Sequence, residues 1–243
     1  MAAVAVLLAA AGAARAGPLE DALARADAAW PERDQPGKLE AIRTALDEAE
    51  GAAPGDPGVA WRRARLLFWI SDDLAIAREE KSRLGKDCWE IADRVAAARP
   101  ADVRGWFYGA VCIGNYSLGM GILRALMQGL EPKFKERLAK AEAIDPAFDG
   151  GAVFVSWGRF WYELPWPKYD AEASERALRR SLRFNPMNQR SRVYLAELFL
   201  KEDHPREARA LLEAAVAQPV GAYDPPEERR MLARAKEILA QMR

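Results

Sequence analysis

An all-α repeat solenoid is the fold class this sequence predicts, and three observations predict it. A helix-and-stop pattern recurs five times, the chain shows no β-rich alternation, and half its residues are hydrophobic. The copies are Ile42-Leu46-Ala49-Pro54, Cys88-Ala92-Val95-Pro100, Phe134-Leu138-Ala141-Pro146, Ser174-Leu178-Ser181-Pro186 and Ala208-Leu212-Ala215-Pro219. Offsets of four and then three place three side chains on one helix face. The proline then ends the helix. Such units bury their apolar faces only against their neighbours, so several must stack.

A second pattern precedes the later copies. It reads Phe154, Trp157-Gly158, Trp161 in one unit and Arg192, Leu195-Ala196, Phe199 in the next. Looser versions are Trp61, Ala64-Arg65, Phe68 and Trp106, Gly109-Ala110, Ile113. A large residue, an apolar-small pair and an aromatic resemble the first helix of a tetratricopeptide repeat, and the proline-ended pattern resembles its second. The segment from Asn188 to Pro219, with Tyr194-Leu195-Ala196-Glu197-Leu198 and Glu207-Ala208, carries the resemblance best. The prolines succeed one another at 46, 46, 40 and 33 residues. The family's period is about 34, so the earlier units are expected to hold longer helices or insertions. The reading is a right-handed solenoid of about five tetratricopeptide-like helix pairs over residues 17–243, closed by a C-terminal capping helix.

Residues 1–16 read as an export signal. An alanine-rich run with Val4, Val6, Leu7 and Leu8 ends in Ala14-Arg15-Ala16, a small-x-small cleavage pattern, before Gly17-Pro18. The expected location is therefore periplasmic or secreted. No later stretch is long and uncharged enough to span a bilayer. Lys plus Arg and Asp plus Glu stand at 36 each, which leaves no electrostatic footprint for nucleic acid. Arg176, Arg179, Arg180 and Arg183, among Glu172 and Glu175, read as a solvated helix face.

No catalytic constellation stands out, and neither a cofactor nor a metal is expected. The single His204 precedes Pro205 at a helix start and reads as a turn or cap residue. Two cysteines leave a disulfide open in an oxidising compartment. Because Cys88 fills a core slot of the repeat, free buried thiols are the preferred reading for Cys88 and Cys112. The run Gly114 to Gly121 matches no nucleotide fingerprint and reads as close helix packing or a kink.

Two segments depart from the repeat. The apolar Ile122 to Met127 predicts an over-long or extra helix, read first as core and otherwise as the wall of an apolar cavity or a contact between protomers. Tyr162 to Asp170 holds Pro165-Trp166-Pro167, and Asp170 is expected to cap a helix from Ala171 to Phe184. Trp166 is expected to fold back and plug the widened gap, or else to serve with Tyr169 as a rival recognition site. The last helix has a stripe of Leu232, Ala235, Ile238, Leu239 and Met242 opposite a polar face, which suits a terminal cap.

The family resemblance implies that first-helix side chains outside the core signature line the concave face. Those are Leu66, Trp69 and Ile70; Phe107, Val111 and Asn115; Val155, Arg159, Tyr162 and Glu163; and Val193, Glu197 and Lys201. The strip runs from apolar to charged, which suits a peptide seated by apolar anchors and directed by charge. The expected role is a non-catalytic interaction protein for a protein or peptide partner in an envelope assembly. The alternative is an accessory carrier of a small or apolar ligand. Architecture and compartment also resemble the T-component of TRAP transporter systems, although the lipid-attachment cysteine of that group is missing.

Overall fold

A computed structural model of the chain describes residues 17–73 and 75–242. The expected export segment and its cleavage site lie outside them. Helix α1 (Pro18–Ala29) runs into a 3-10 turn (Trp30–Glu32) and is followed by α2 (Lys38–Ala52). Then come α3 (Pro57–Ser71), α4 (Arg78–Ala98), α5 (Val103–Met120), the short α6 (Ile122–Met127) and α7 (Leu130–Ile144). The chain continues through α8 (Phe148–Glu163), α9 (Ala171–Phe184), α10 (Gln189–Lys201), α11 (Pro205–Ala217) and α12 (Pro225–Gln241). The pairs α1/α2, α3/α4, α5/α7, α8/α9 and α10/α11 pack side by side, and α12 lies on the last pair.

The repeat signature maps onto the second helix of each pair. Every signature side chain is buried, and each signature proline stands two residues beyond its helix end. The fourth unit uses serine in two core slots. There Ser174 donates to the Gly158 carbonyl at 2.8 Å and Ser191 donates to Ser181 at 2.9 Å, so buried hydroxyls are satisfied. First helices start at side-chain caps: Asp56 on α3, Asp102 on α5 and Asn188 on α10. Asp170 caps α9 as expected, accepting from the Ala173 N–H. Each cap contributes about 1 kcal/mol. The long early intervals come from a 21-residue α4, an 18-residue α5 and the inserted α6.

Helices α4 and α5 meet backbone to backbone. A Cβ on Gly119 would lie 2.5 Å from the Ser82 nitrogen, and one on Gly85 would lie 2.5 Å from the Tyr116 nitrogen. This explains Gly119 of the 114–121 run as a packing residue, while Gly121, at φ 96°, makes the break between α5 and α6. At that close approach Cys88 and Cys112, with Cα atoms 5.7 Å apart, form a disulfide. The free-thiol expectation is thereby corrected. A core slot and a crosslink are compatible here because both cysteines face the same tight seam.

The terminal helix departs from expectation in a second way. Its buried residues are Pro226, Glu228, Met231, Ala235 and Ile238. Part of the expected polar face turns inward instead of to solvent. The solenoid curls so far that α12 reaches the start of the chain. Arg33 in the turn after α1 pairs with Asp224 at 2.6 Å, and Arg229 pairs with Asp34 at 2.5 Å.

Candidate functional site: the lumen of the curl

The curl surrounds a partly open lumen of about 550 Å³, lined from Trp30 and Arg33 in the turn after α1 through to α12. One wall is apolar. Phe107 and Val111 come from α5, Ile122 and Leu126 from α6, and Phe134 and Phe160 from α7 and α8. Phe134 and Phe160 stack with centroids 4.8 Å apart. The segment Ile122 to Met127 is thus an extra short helix serving as a cavity wall. Its Leu123 and Met127 point away from the core and are exposed, which corrects the core reading.

Another part of the lining is a chain of ion pairs. Arg159 bonds Glu197 at 2.6 Å and Glu163 at 2.5 Å, and Arg234 bonds the other Glu197 oxygen at 2.9 Å. Arg190 bonds Asp72 at 2.6 Å and also pairs with Glu227. Arg230 reaches Asp72 at 3.4 Å. Burial pulls the Asp72 carboxyl upward, but Arg190 and Arg230 outweigh it and hold it below the ordinary carboxylate value. Burial likewise disfavours the charge on Arg159, yet Tyr194, Glu163 and Glu197 hold its pKa above the ordinary arginine value. Asp72 and Arg159 therefore stay ionised at neutral pH.

The start of α8 contributes an unusual turn. Asp149, Gly150 and Gly151 all lie in the left-handed region, with φ of 47°, 62° and 81°. Only glycine occupies that region readily. Tyr223 donates to Asp149 at 2.5 Å and would touch any side chain on Gly150. Asp149 keeps solvent-exposed surface, but protein surrounds it at the lumen mouth, and this desolvation raises its pKa. The Tyr108 hydroxyl, also at the lumen, is raised by burial.

Of the concave-face residues expected from sequence, Trp69, Phe107, Val111, Asn115, Val155, Arg159, Glu163 and Glu197 line the lumen. Asn115 donates to Ser71 at 2.8 Å, which fixes its amide. The others do not line it. Leu66 and Ile70 pack in the N-terminal core beside Ile42 and Leu46, and Val193 packs with Leu212. Tyr162 packs against Leu178 and Leu195 instead of facing the cavity. Lys201 is exposed, donates to the Tyr162 carbonyl at 2.8 Å and covers the Tyr169 ring. The physical reason is curvature. The register counted for straight helices is offset where units twist, so the outer members of each strip rotate away. Trp166 does not plug the gap: it is 88% exposed. Tyr169 is half-buried and donates to Glu202 at 2.7 Å.

Asp72, Arg190, Arg230 and Arg234 lie outside the set expected from sequence. Glu227, Arg230 and Arg234 follow one another at three and four positions, a one-sided charged stripe that α12 carries in plain sequence. Its meaning depends on α12 crossing to α3, which no local pattern announces.

Among the described residues no cluster of three His, Cys, Asp or Glu is placed to hold a metal ion. No family model and no curated protein matches this sequence. Among solved structures, the tetratricopeptide-repeat protein TTC0263 of Thermus thermophilus superimposes with a TM-score of 0.68 at 18% identity, covering 91% of this chain and 99% of that one. The fold is tetratricopeptide-repeat-like. MamA aligns over 86% of this chain and 95% of its own at a TM-score of 0.46 and 10% identity. The flexible tandem repeat domain of a bacterial cellulose synthase aligns over 93% and 94% at 0.32 and 18%. The tetratricopeptide resemblance read from Asn188 to Pro219 thus extends to an all-α solenoid of five pairs and a terminal helix.

Proposed function

We propose that this is a non-catalytic interaction protein that holds a short amphipathic peptide segment of a partner protein in its lumen. The observation that carries this reading is the pairing of an apolar wall with a wall of alternating charges inside one cavity. Apolar side chains of the segment would seat against Phe107, Val111 and Phe160. Its backbone and polar groups would meet Arg159, Glu197 and Arg234, which give direction more than affinity. A tetratricopeptide-like fold supports a protein-interaction role, and tetratricopeptide scaffolds are generally non-catalytic.

The site of action we propose is the periplasm or cell exterior, after removal of residues 1–16. The Ala14-Arg15-Ala16 pattern and the Cys88–Cys112 disulfide support it, since disulfides persist in oxidising compartments.

A second reading is a carrier of an amphipathic small molecule, as an accessory to transport. The lumen's 550 Å³ favours it, because small-molecule sites fall at about 300–1,000 Å³. Native mass spectrometry of the protein purified from its host, followed by denaturing release, tests both. A released peptide supports the first reading and a released small organic molecule supports the second. A protein that carries neither, and binds no peptide from a degenerate library, removes both.

A further inference from the structure

The three most exposed large apolar side chains of the described residues are Trp166 at 88%, Met127 at 82% and Leu123 at 68%; the remaining exposed ones fall at 36–44%. They come from two segments that meet at one end of the lumen. Leu123 and Met127 are four apart and share one face of α6. Trp166 tops the loop between Pro165 and Pro167. The loop is tied to the start of α7 by Lys168, which bonds Glu131 at 2.6 Å. Leu126 and Leu164, from the same two segments, face the lumen.

The charge around this rim leans positive. Residues 118–140 carry Arg124, Lys133, Lys135, Arg137 and Lys140 against Glu131 and Glu136, and residues 163–170 add Lys168 with Glu163 and Asp170. Glu131 is already shared between Lys135 and Lys168. Arg124 forms no ion pair among the described residues, and the Lys133 ammonium lies over the Trp89 ring at 5.2 Å.

We propose that the rim of α6 and the 164–169 loop docks on an anionic lipid surface, with Leu123, Met127 and Trp166 inserted at the headgroup boundary. Protruding aliphatic side chains, a tryptophan and flanking cations suit the bilayer interface. A protein hot spot, by contrast, sits in the centre of a packed, desolvated patch. No helix among the described residues is long and apolar enough to cross a membrane, so the contact is peripheral. Docking there turns one mouth of the lumen towards the lipid, and it holds whatever the lumen binds.

Flotation of the full chain with vesicles tests this. Pure phosphatidylcholine is compared with phosphatidylcholine containing one-third phosphatidylglycerol. Wild type floats with the anionic vesicles, and added salt weakens it. Trp166→Ala lowers partitioning about tenfold, the loss expected for one large apolar side chain. Leu123→Ser with Met127→Ser lowers it at least as far, and Arg124→Glu lowers it on anionic vesicles alone. All these positions are exposed, so each variant should keep its circular dichroism and melting temperature. The N-terminal segment is common to every protein compared and cancels. A folded wild type that stays unbound overturns the proposal, as does equal flotation of wild type and the rim variants. Loss of a protein complex in the rim variants, without flotation of wild type, makes the rim a protein interface and overturns it too. Ser156→Trp, which obstructs the lumen, leaves flotation unchanged, so failure of the lumen reading is seen separately.

Discussion

The guanidinium of Arg230 lies 3.4 Å from the centre of the Trp69 ring and faces the Trp69 carbonyl at 3.3 Å, across 161 positions of sequence. Arg33 stacks on the same indole at 4.0 Å. Trp69 is thus held between a cation from the first unit and one from the terminal helix. Beside it, Asp72 is shared by Arg190 and Arg230. The N-terminal and C-terminal apolar clusters remain separate. Closure of the curl therefore rests on ion pairs and cation–π contacts, which respond to charge more than a core does.

Asp72→Ala is expected to destabilise the protein by about 3–5 kcal/mol, because it leaves two largely buried arginines short of a counter-charge. Denaturant unfolding measures the loss, and small-angle scattering should show an expanded particle. A loss below about 0.5 kcal/mol with unchanged dimensions would mean that closure does not depend on this carboxylate.

The same carboxylate sets a pH dependence. Its folded pKa lies below the ordinary value of about 3.9. A depressed carboxylate adds stability above its unfolded pKa and loses it as pH falls through the folded one. Asp27 and Asp34, also depressed by arginine partners, act with the same sign. Stability should hold at neutral pH and fall below about pH 4. A melting temperature that rises on acidification through that window would contradict this assignment.

Leu212→Ala is expected to cost about 2–5 kcal/mol, as a fully buried side chain in the central slot of the last signature. Val193, Ala208 and Met231 surround it, so the cavity cannot collapse cheaply. Guanidinium titration reads the change directly.

The Cys88–Cys112 disulfide closes a loop of 24 positions, and loop-closure entropy puts its contribution at about 3 kcal/mol. Reduction under mild denaturant should lower the unfolding midpoint accordingly. Protein from the native host, denatured without reductant, should show no free thiol, and detection of two would place the chain in a reducing compartment.

Local pattern makes the stack legible, and long-range closure stays hidden. Each proline, each small residue and each cap reports on its own helix or on the next one. The seam of Cys88 with Cys112 needs the facing register of α4 and α5, which neither helix encodes alone. Lumen residues on α5 and α8 are legible because register within one unit suffices for them. Arg190 and Arg230 are not, because their partners, Asp72 and Trp69, lie more than a hundred residues away, and Arg234, which bonds Glu197, sits on the face of α12 expected to be solvated. Trp166 misleads for the opposite reason. A large aromatic suggests burial, but two flanking prolines and the Lys168–Glu131 tie hold the loop outward.

Occupancy of the lumen is the remaining prediction. Ser156 lines it from α8 and uses its hydroxyl only on the Ala152 carbonyl of its own helix, at 3.0 Å. Tryptophan there would project into open space, so Ser156→Trp should keep its melting temperature within a few degrees. It should also lower affinity for a lumen-bound peptide or small molecule by more than tenfold, by excluding it sterically. Trp69→Ala should weaken binding too, but with loss of stability, because it removes the surface on which Arg33 and Arg230 stack. Tyr162→Ala and Trp166→Ala, both away from the lumen, should leave that affinity within about twofold. Isothermal titration with the ligand released from the native protein separates the cases. Normal binding by a folded Ser156→Trp variant would move the site out of the lumen, and loss in Trp166→Ala alone would move it to the loop.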